Sequence, residues 1–268
     1  MKHKFTVMGA TGFVGRNFVK YLQAKGHDVF VAPRDIKQLE GQELGHVVYI
    51  LGLTGGDSRV RPHDAIEAHV TLLSWVFQNC KYESLLYCSS TRIYSAMNPA
   101  IPVSESQPIT IMPSADNLFD MSKLMGEVLC QRIDNPKVRI ARLSNVYGAD
   151  QSRSTFLGAV IQEVKDTGGV VINDQPNSVK DYIAIEDVCE LMEQIILHGE
   201  SRLYNVASGI NVKAMEIGEW LQKLGFSATF SHKNKLLLFP QIDNSLAIKE
   251  FGYKPRKLEK DLLYLLGN

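Results

Sequence analysis

The sequence predicts an α/β protein, with a doubly wound parallel sheet followed by a smaller C-terminal α+β lobe. Short β-rich runs alternate with helical stretches through the first half of the chain, which is typical of parallel strands covered by helices on both faces. A glycine-rich turn joins the first of these strands directly to the first helix. After Gly148 the pattern becomes irregular, which indicates a second, smaller lobe. The 268 residues are enough for one large domain or two unequal ones.

Each element is identified by the spacing of its apolar residues. Strands are expected at residues 4–8, 28–32, 47–53, 84–89 and 138–143, and helices at 14–24, 65–80 and 121–133. Residues 95–116 are rich in proline, serine and polar side chains without a clear period, and a loop of this length in a compact domain is usually functional. After Gly148 the expected elements are a helix at 155–167, a strand at 170–173, a strand followed by a helix over 181–196, and two helices around a strand from residue 211 onward.

Composition and charge exclude several classes of protein. The 29 basic and 29 acidic residues cancel, which leaves no electrostatic signature for binding nucleic acid or an anionic membrane. No apolar run approaches the roughly 20 residues needed to span a bilayer, and the first strand begins too early to leave room for a signal peptide. The four cysteines and seven histidines are scattered, so neither a disulfide framework nor a metal site is expected. The prediction is a cytoplasmic protein with reduced thiols.

A glycine-rich loop follows the first strand at once and leads into a helix. Glycine is required where the backbone turns tightly, where it approaches a pyrophosphate, and where the helix packs on the strand. The helix N-terminus then offers unpaired N–H groups and a positive dipole end to the phosphates. The residues expected to contact a dinucleotide here are Gly9, Thr11, Gly12, Phe13, Val14 and Gly15. We therefore predict a Rossmann-type dinucleotide-binding domain over residues 1–148, to which 179–206 return, and a substrate-binding lobe made of 149–178 and 207–268.

The G-x-x-G-x-x-G spacing of this loop resembles the cofactor loop of the short-chain dehydrogenase/reductase superfamily, in its extended, epimerase/dehydratase branch. Four further segments resemble motifs of that branch, in the same order along the chain. They are the strand end Tyr87–Tyr94, the S-K-L-x-x-E segment Ser122–Glu127, the R-x-x-N-V-Y-G segment Arg142–Gly148 and the R-D-F-x-x-V-x-D-V-like segment Lys180–Val188. Near the end, Phe251–Pro255 resembles an L-G-W-x-P signature.

The resemblance implies a nicotinamide dinucleotide, and the end of the second strand favours NADP over NAD. The acidic residue that would bind the ribose hydroxyls of NAD is absent, and Arg34 stands next to that place, where a guanidinium suits a 2′-phosphate. Arg16 is a candidate second cation, and Leu53 and Lys123 complete the expected cofactor contacts. In the alternative interpretation Arg34 is a solvated loop residue and Asp35 accepts the ribose, so NAD stays possible. Little chain is left between Asp35 and His46 for the usual next strand.

The resemblance also implies a catalytic set of hydroxyl, phenol and lysine, and one member is missing. Ser90 matches the hydroxyl that holds the substrate oxygen, and Lys123 matches the lysine that lowers the pKa of the phenol. The tyrosine position, four residues before Lys123, is occupied by Phe119, which has no proton to exchange. Three interpretations stay open: an engineered substitution that traps a complex, a natural residue in a protein that uses the cofactor differently or not at all, or another donor such as Tyr94, Tyr147 or water. The chain as written should be a poor catalyst.

The expected substrate is a nucleotide-activated sugar. Relatives that carry out 4,6-dehydration have an Asp-Glu pair after the catalytic hydroxyl, whereas this chain has Thr91 and Arg92, so that reaction is not expected. The expected substrate-binding residues are Ser90, Thr91, Asn145, Lys180 and Lys233, although the two lysines are equally consistent with surface positions. His69 replaces a common asparagine and is interpreted as a satisfied core or near-site histidine.

Reduction of a keto-sugar is the preferred function, because epimerases usually recycle a tightly held NAD. The alternatives are a nucleotide-sugar epimerase and a non-catalytic dinucleotide-binding sensor or scaffold of the same fold. An RNA-binding member is disfavoured by the zero net charge. Related proteins pair through two helices, and 65–80 and 121–133 are apolar enough to do so, which predicts a homodimer.

Overall fold

A computed structural model describes residues 1–267 and contains two main layers of helices around a central sheet. The strands are β1 Lys4–Met8, β2 Asp28–Val31, β3 His46–Tyr49, β4 Ser84–Ser90, β5 Val138–Leu143, β6 Asn145–Tyr147, β7 Gly169–Ile172, β8 Val179–Ala184, β9 Leu203–Val206, β10 Asn211–Lys213 and β11 Ser227–Phe230. The α-helices are α1 Phe13–Ala24, α2 Gly55–Val60, α3 Pro62–Ile66, α4 Leu72–Asn79, α5 Leu118–Arg132, α6 Phe156–Thr167, α7 Ile185–His198, α8 Ala214–Lys223, α9 Ser245–Phe251 and α10 Leu258–Leu266. No helix within residues 1–267 is both long and apolar enough to cross a membrane.

The central sheet has six strands in the order β2-β1-β3-β4-β5-β9, and every neighbouring pair is parallel. Buried apolar residues fill both of its faces: one cluster lies under α1 and α7, the other under α4 and α5. The predicted doubly wound, Rossmann-type sheet is therefore confirmed. Because all its strands run the same way, their carboxyl ends meet at one edge, where ligands bind in such folds.

The second lobe is built on two small sheets, β10-β8-β6 and β11-β7, that share a separate buried cluster with α6, α8 and α10. β8 pairs with β6 and β10 in this lobe, while α7 and β9 pack on the central sheet. The residue boundaries predicted between the two lobes stay a prediction.

Three predicted elements differ from the structure. The predicted strand at 47–53 ends at Tyr49, because residues 50–53 leave the sheet at its carboxyl edge. The single helix predicted at 65–80 is wrong: a π-helical turn, Glu67–Thr71, separates α3 from α4 and directs His69 into the interior. The tail from residue 211 contains three helices and two strands rather than two helices around one strand.

The segment of chain that connects β2 to β3 is as short as expected. A single 3₁₀ turn, Ile36–Leu39, replaces a helix and a further strand, so β2 forms the edge of the sheet.

Candidate active site

A cavity of about 560 Å³ opens at the carboxyl edge of the central sheet, between the two lobes. Its walls come from the loop after β3, the end of β4, the start of α5, and the segments around β6, β8 and residues 237–239. The lining residues are Thr54, Gly55, Arg59, Ser90, Thr91, Arg92, Ser95, Asn117, Phe119, Asp120, Ser144, Asn145, Lys180, Leu237 and Phe239. Four of the five predicted substrate-binding residues, together with Phe119, are therefore brought to one place.

Ser90 ends β4 and is the hydroxyl that remains available. Its Oγ accepts a hydrogen bond from the backbone N–H of Arg92 at 3.1 Å, so its own hydrogen is free to point into the cavity. The hydroxyl of the neighbouring Thr91 is buried and donates to the carbonyl of Leu143 at 3.3 Å. Of the two, Ser90 is the one suited to hold a substrate oxygen.

Phe119 is the second residue of α5 and presents an aromatic ring with no polar atom to the cavity. The edge of the His69 imidazole meets its ring at 5.5 Å between centroids, and the Arg92 guanidinium lies over it at 5.3 Å. The ring is 8% exposed, so its position is fixed by its neighbours.

Lys123 lies one turn further along α5, and its Nζ donates to the carbonyl of Cys88 at 2.9 Å. Burial disfavours the ammonium form and lowers the pKa of Lys123 to about 8, an effect that the nearby Cys88 and Glu127 partly oppose. The spacing of four residues places Lys123 and position 119 on the same helix face. A phenol at position 119 would therefore have a buried cation beside it.

His69 connects three parts of this site. Its Nε2 accepts the backbone N–H of Leu53 at 3.3 Å, and its Nδ1 lies 2.8 Å from the Ser122 hydroxyl. Because that hydroxyl donates to the Phe119 carbonyl at 2.9 Å, we assign the proton of the imidazole to Nδ1. Burial, reinforced by the Lys123 cation, lowers the pKa of His69 to about 2. His69 is thus a neutral residue with both nitrogens paired, as expected of a satisfied near-site histidine.

The glycine-rich loop has the shape that a dinucleotide pyrophosphate requires. Gly9 has φ +97°, and a Cβ there would lie 2.8 Å from the Ile50 carbonyl carbon. A Cβ at Gly15 would collide with the Gly9 carbonyl oxygen. At Gly12, in contrast, the nearest atom to an added Cβ is the Gly9 oxygen at 3.5 Å, so the outer side of this residue is open. The first N–H groups of α1 have no partner within the helix, and a helix N-terminus of this kind is a favourable place for an anion.

The two arginines predicted to contact the cofactor, Arg16 and Arg34, differ in whether they already have an ion-pair partner. Arg16 pairs with Asp150 at 2.9 Å, so its guanidinium already has an anionic partner. Arg34 is exposed after β2 and makes no ion pair within residues 1–267. The Asp35 carboxylate accepts the Lys37 N–H at 3.2 Å and caps the 3₁₀ turn. Arg34 is therefore the cation near this strand that is free to bind a phosphate.

Of the remaining predicted substrate-binding residues, two line the cavity and one does not. Asn145 lines the cavity, and its Nδ2 donates to the Asp181 carbonyl at 2.8 Å. Lys180 also lines it, but its Nζ pairs with Asp174 at 2.9 Å and lies over the Phe156 ring. Lys233 is exposed and lies outside the cavity wall.

Sequence reasoning missed Arg92 and Asp120 as members of this site. Arg92 entered the argument only as a residue that excludes dehydration, although its place directly after Ser90 and Thr91 put it at the same strand end. In the structure its Nε lies 3.1 Å from Asp120 Oδ1. Asp120 is buried, and burial raises the pKa of its carboxyl against the opposing effect of Arg92.

The motif residues outside the cavity hold its walls together. Glu127 on α5 forms a buried ion pair with Arg142 on β5 at 2.6 Å, and Arg142 also donates to the Tyr94 hydroxyl at 2.6 Å. Tyr94 in turn donates to Asn205, and Tyr147 donates to Asp261 at 2.7 Å. Neither tyrosine lines the cavity, so neither hydroxyl is placed to replace the missing phenol.

Comparisons with known proteins find several solved structures of the same fold. The structure is similar to RMD from Pseudomonas aeruginosa complexed with NADPH, with 21% identity, a TM-score of 0.83 and 98% of each chain covered. It is also similar to a tyrosine-to-phenylalanine mutant of UDP-glucuronic acid 4-epimerase from Bacillus cereus in complex with UDP-4-deoxy-4-fluoro-glucuronic acid and NAD, with 18% identity, a TM-score of 0.81 and coverage of 98% and 96%. An epimerase from Methanothermobacter thermautotrophicus has 15% identity, a TM-score of 0.84 and coverage of 99% and 92%.

These likenesses show the fold. The sequence itself matches the profile of a family of enzymes over residues 5–207, a range that includes the glycine-rich loop, Ser90, Lys123 and the Arg142–Gly148 motif. The chain belongs to the NAD dependent epimerase/dehydratase family, as the motifs indicate.

Proposed function

We propose that this chain is a nicotinamide-dependent oxidoreductase of a nucleotide-activated sugar, that it reduces a keto-sugar, and that Phe119 makes it slow as written. The observation that carries this proposal is that Ser90 and Phe119 line one cavity at the carboxyl edge of the sheet, while Lys123, on the same face of α5 as Phe119, binds the Cys88 carbonyl of the strand that Ser90 ends. The only group lacking from the expected set is the phenol oxygen. A protein with no need of this chemistry has no reason to keep a buried lysine of lowered pKa behind the ring.

The cofactor would be held by the glycine-rich loop, with Gly12 facing its pyrophosphate and Lys123 near its reactive end. When bound, the nicotinamide supplies or takes the hydride. Arg34 favours NADPH, because it is a free guanidinium at the strand end where a 2′-phosphate would lie. Solved structures of this fold contain NADPH in one case and NAD in another, so the fold accommodates both.

The residues of the chain have separate roles in this proposal. The Ser90 hydroxyl holds the substrate oxygen, and Asn145 contacts the sugar or its phosphate. Lys123 places a positive charge behind position 119, where it would lower the pKa of a phenol. His69 fixes the Leu53 backbone and, through Ser122, the start of α5, so it positions the site without exchanging a proton.

The substitution Phe119→Tyr tests this function. We expect the variant to oxidise NADPH in the presence of a nucleoside-diphosphate keto-sugar at least about 100-fold faster than the unmodified chain, since a positioned general acid contributes about 10²–10⁴-fold. The double variant Phe119→Tyr, Lys123→Met is the matched control and should lose most of that gain. A Phe119→Tyr variant that binds NADPH and the sugar nucleotide yet turns neither over would favour the sensor function instead.

Epimerisation is the second candidate, because the family and one solved neighbour include epimerases. The same variant distinguishes the two reactions. A reductase consumes one NADPH for each sugar reduced, whereas an epimerase inverts the sugar without net consumption of dinucleotide.

We also propose a homodimer formed through the helices beside the active site. Along α5, Met121, Met125 and Val128 are 42%, 51% and 45% exposed and lie on one helix face. Ile66 on the neighbouring α3 is also exposed. A stripe of this kind is typical of a helix that pairs with another molecule.

A further inference from the structure

We propose that Arg92 is a fixed anion-binding group next to Ser90 and that the substrate carries a carboxylate there, as a sugar acid does. This inference rests on the proposed function and names its substrate class more narrowly.

The first observation is the way in which the Arg92 guanidinium is held. It lies over the ring of Phe119 at 5.3 Å, and its Nε lies 3.1 Å from the buried carboxyl of Asp120. On the other side is Gly55, where an added Cβ would collide with Nη1. The guanidinium is therefore held in the cavity wall before a ligand binds. It packs on the Phe119 ring, pairs with the Asp120 carboxylate and lies close against Gly55. A preorganised group of this kind binds without the entropy cost of ordering a flexible side chain.

The second observation is what this guanidinium leaves unused. Asp120 engages Nε only, and neither Nη1 nor Nη2 has a hydrogen-bond partner in the part of the chain that the structure describes. The side chain is 35% exposed and lines the cavity. Two parallel N–H groups of a guanidinium match the two oxygens of a carboxylate.

The third observation is the charge of the cavity. Its lining includes three cations, Arg59, Arg92 and Lys180, and one acid, Asp120. Each of the three cations has an acidic partner: Lys180 pairs with Asp174 at 2.9 Å, Arg92 with Asp120 at 3.1 Å, and the mostly exposed Arg59 with Asp116 at 3.7 Å. Arg92 is the one that lies against Phe119, and its ion pair uses Nε and leaves both terminal nitrogens for a ligand.

The test compares glucuronate with glucose, two probes that differ by one carboxylate, in calorimetric titrations of the full chain. We expect the unmodified protein to bind glucuronate at least about ten-fold more tightly, because a hydrogen bond to a charged group contributes about 1.5–3 kcal/mol. Arg92→Gln should abolish this preference, and Arg92→Lys should keep part of it, since it retains the charge without the fork. Arg153→Gln removes an exposed arginine outside the cavity and should leave the preference unchanged.

Arg92→Gln also leaves the buried Asp120 without its cation, which could destabilise the protein. The double variant Arg92→Gln, Asp120→Asn removes both charges, and we expect it to lose the preference for glucuronate as well. Equal binding of the two sugars by the unmodified protein, or a preference that survives both variants, would overturn the proposal. The proposal would also be overturned if Arg92→Gln weakened the binding of UDP and left the binding of glucuronate unchanged, since Arg92 would then contact a diphosphate. NADPH titrated separately reports on the proposed function, because the dinucleotide site does not include Arg92.

Discussion

At the scale of single residues, we expect Gly15 to be needed for packing of the glycine-rich loop and Gly12 to be needed for dinucleotide binding. Gly15→Ala places a Cβ against the Gly9 carbonyl, and we expect it to lower the free energy of unfolding by about 3 kcal/mol. Gly12 has φ −72° and open space outside it, so Gly12→Ala should change stability by less than about 1 kcal/mol. In the proposed complex the same methyl group would occupy the side of Gly12 that faces the pyrophosphate. Gly12→Ala should therefore weaken dinucleotide binding at least about ten-fold.

Urea denaturation followed by calorimetric titration measures both effects on the same samples. If Gly12→Ala bound the dinucleotide as well as the unmodified chain, the loop would not be the phosphate site.

The candidate residues that the sequence could indicate are those whose placement depends on local geometry. The glycines follow from a strand–turn–helix, and Ser90 and Lys123 follow from motifs with short spacing; Ser90 lines the cavity, and Lys123 binds the Cys88 carbonyl on the same strand. Thr91 and Lys233 show where prediction from sequence fails, because the direction of a side chain depends on the fold. The Thr91 hydroxyl donates to the Leu143 carbonyl on the neighbouring strand, and Lys233 is exposed outside the cavity wall. Arg92 and Asp120 were missed since their pairing joins residues from two separate elements.

At the scale of elements, α5 connects the site to the proposed dimer. Met125 lies on its exposed face, two residues from the buried Lys123. We expect Met125→Lys to convert a dimer into a monomer, because it places a charge in the middle of an apolar stripe. Light scattering with sedimentation measures the mass, and Lys249→Glu on the exposed face of α9 is the control. An unmodified chain that is monomeric at all concentrations would contradict the dimer.

Elements with a strong apolar period were predicted within a few residues, as β1, α1, β5 and α6 show. The π-helical turn at Glu67–Thr71 was not, because it depends on the partners that His69 finds across the fold, at Leu53 and Ser122. The three-residue strands β6 and β10 were not predicted for a similar reason: both pair with β8, which is distant in sequence, and three residues give no period.

At the scale of the whole molecule, buried neutral histidines make stability depend on pH. Burial lowers the pKa of His69 to about 2 and also lowers the pKa of His46, which lies at the amino end of the sheet. An unfolded chain binds protons at these residues near pH 6.5, whereas burial disfavours their protonation in the folded chain. The free energy of unfolding should therefore be highest above pH 6.5 and fall as the pH is lowered from there, by up to about 1.4 kcal/mol per pH unit for each histidine.

Urea unfolding between pH 5 and pH 8 measures this slope. His46→Gln should make this slope shallower, and the unchanged slope of a His63→Gln variant, which removes an exposed histidine, is the control. An identical slope in His46→Gln and in the unmodified chain would contradict the contribution of His46.

We propose that the edge of the sheet beside Ser90 and Lys123 is a nicotinamide dinucleotide site and that Arg34 sets its preference. Calorimetric titration of the purified chain with NADPH and with NADH measures both properties. We expect saturable binding of both dinucleotides, with NADPH at least about ten-fold tighter and the difference lost in Arg34→Gln, as expected for a charge-assisted phosphate contact. If neither dinucleotide bound, this edge of the sheet would not be a dinucleotide site.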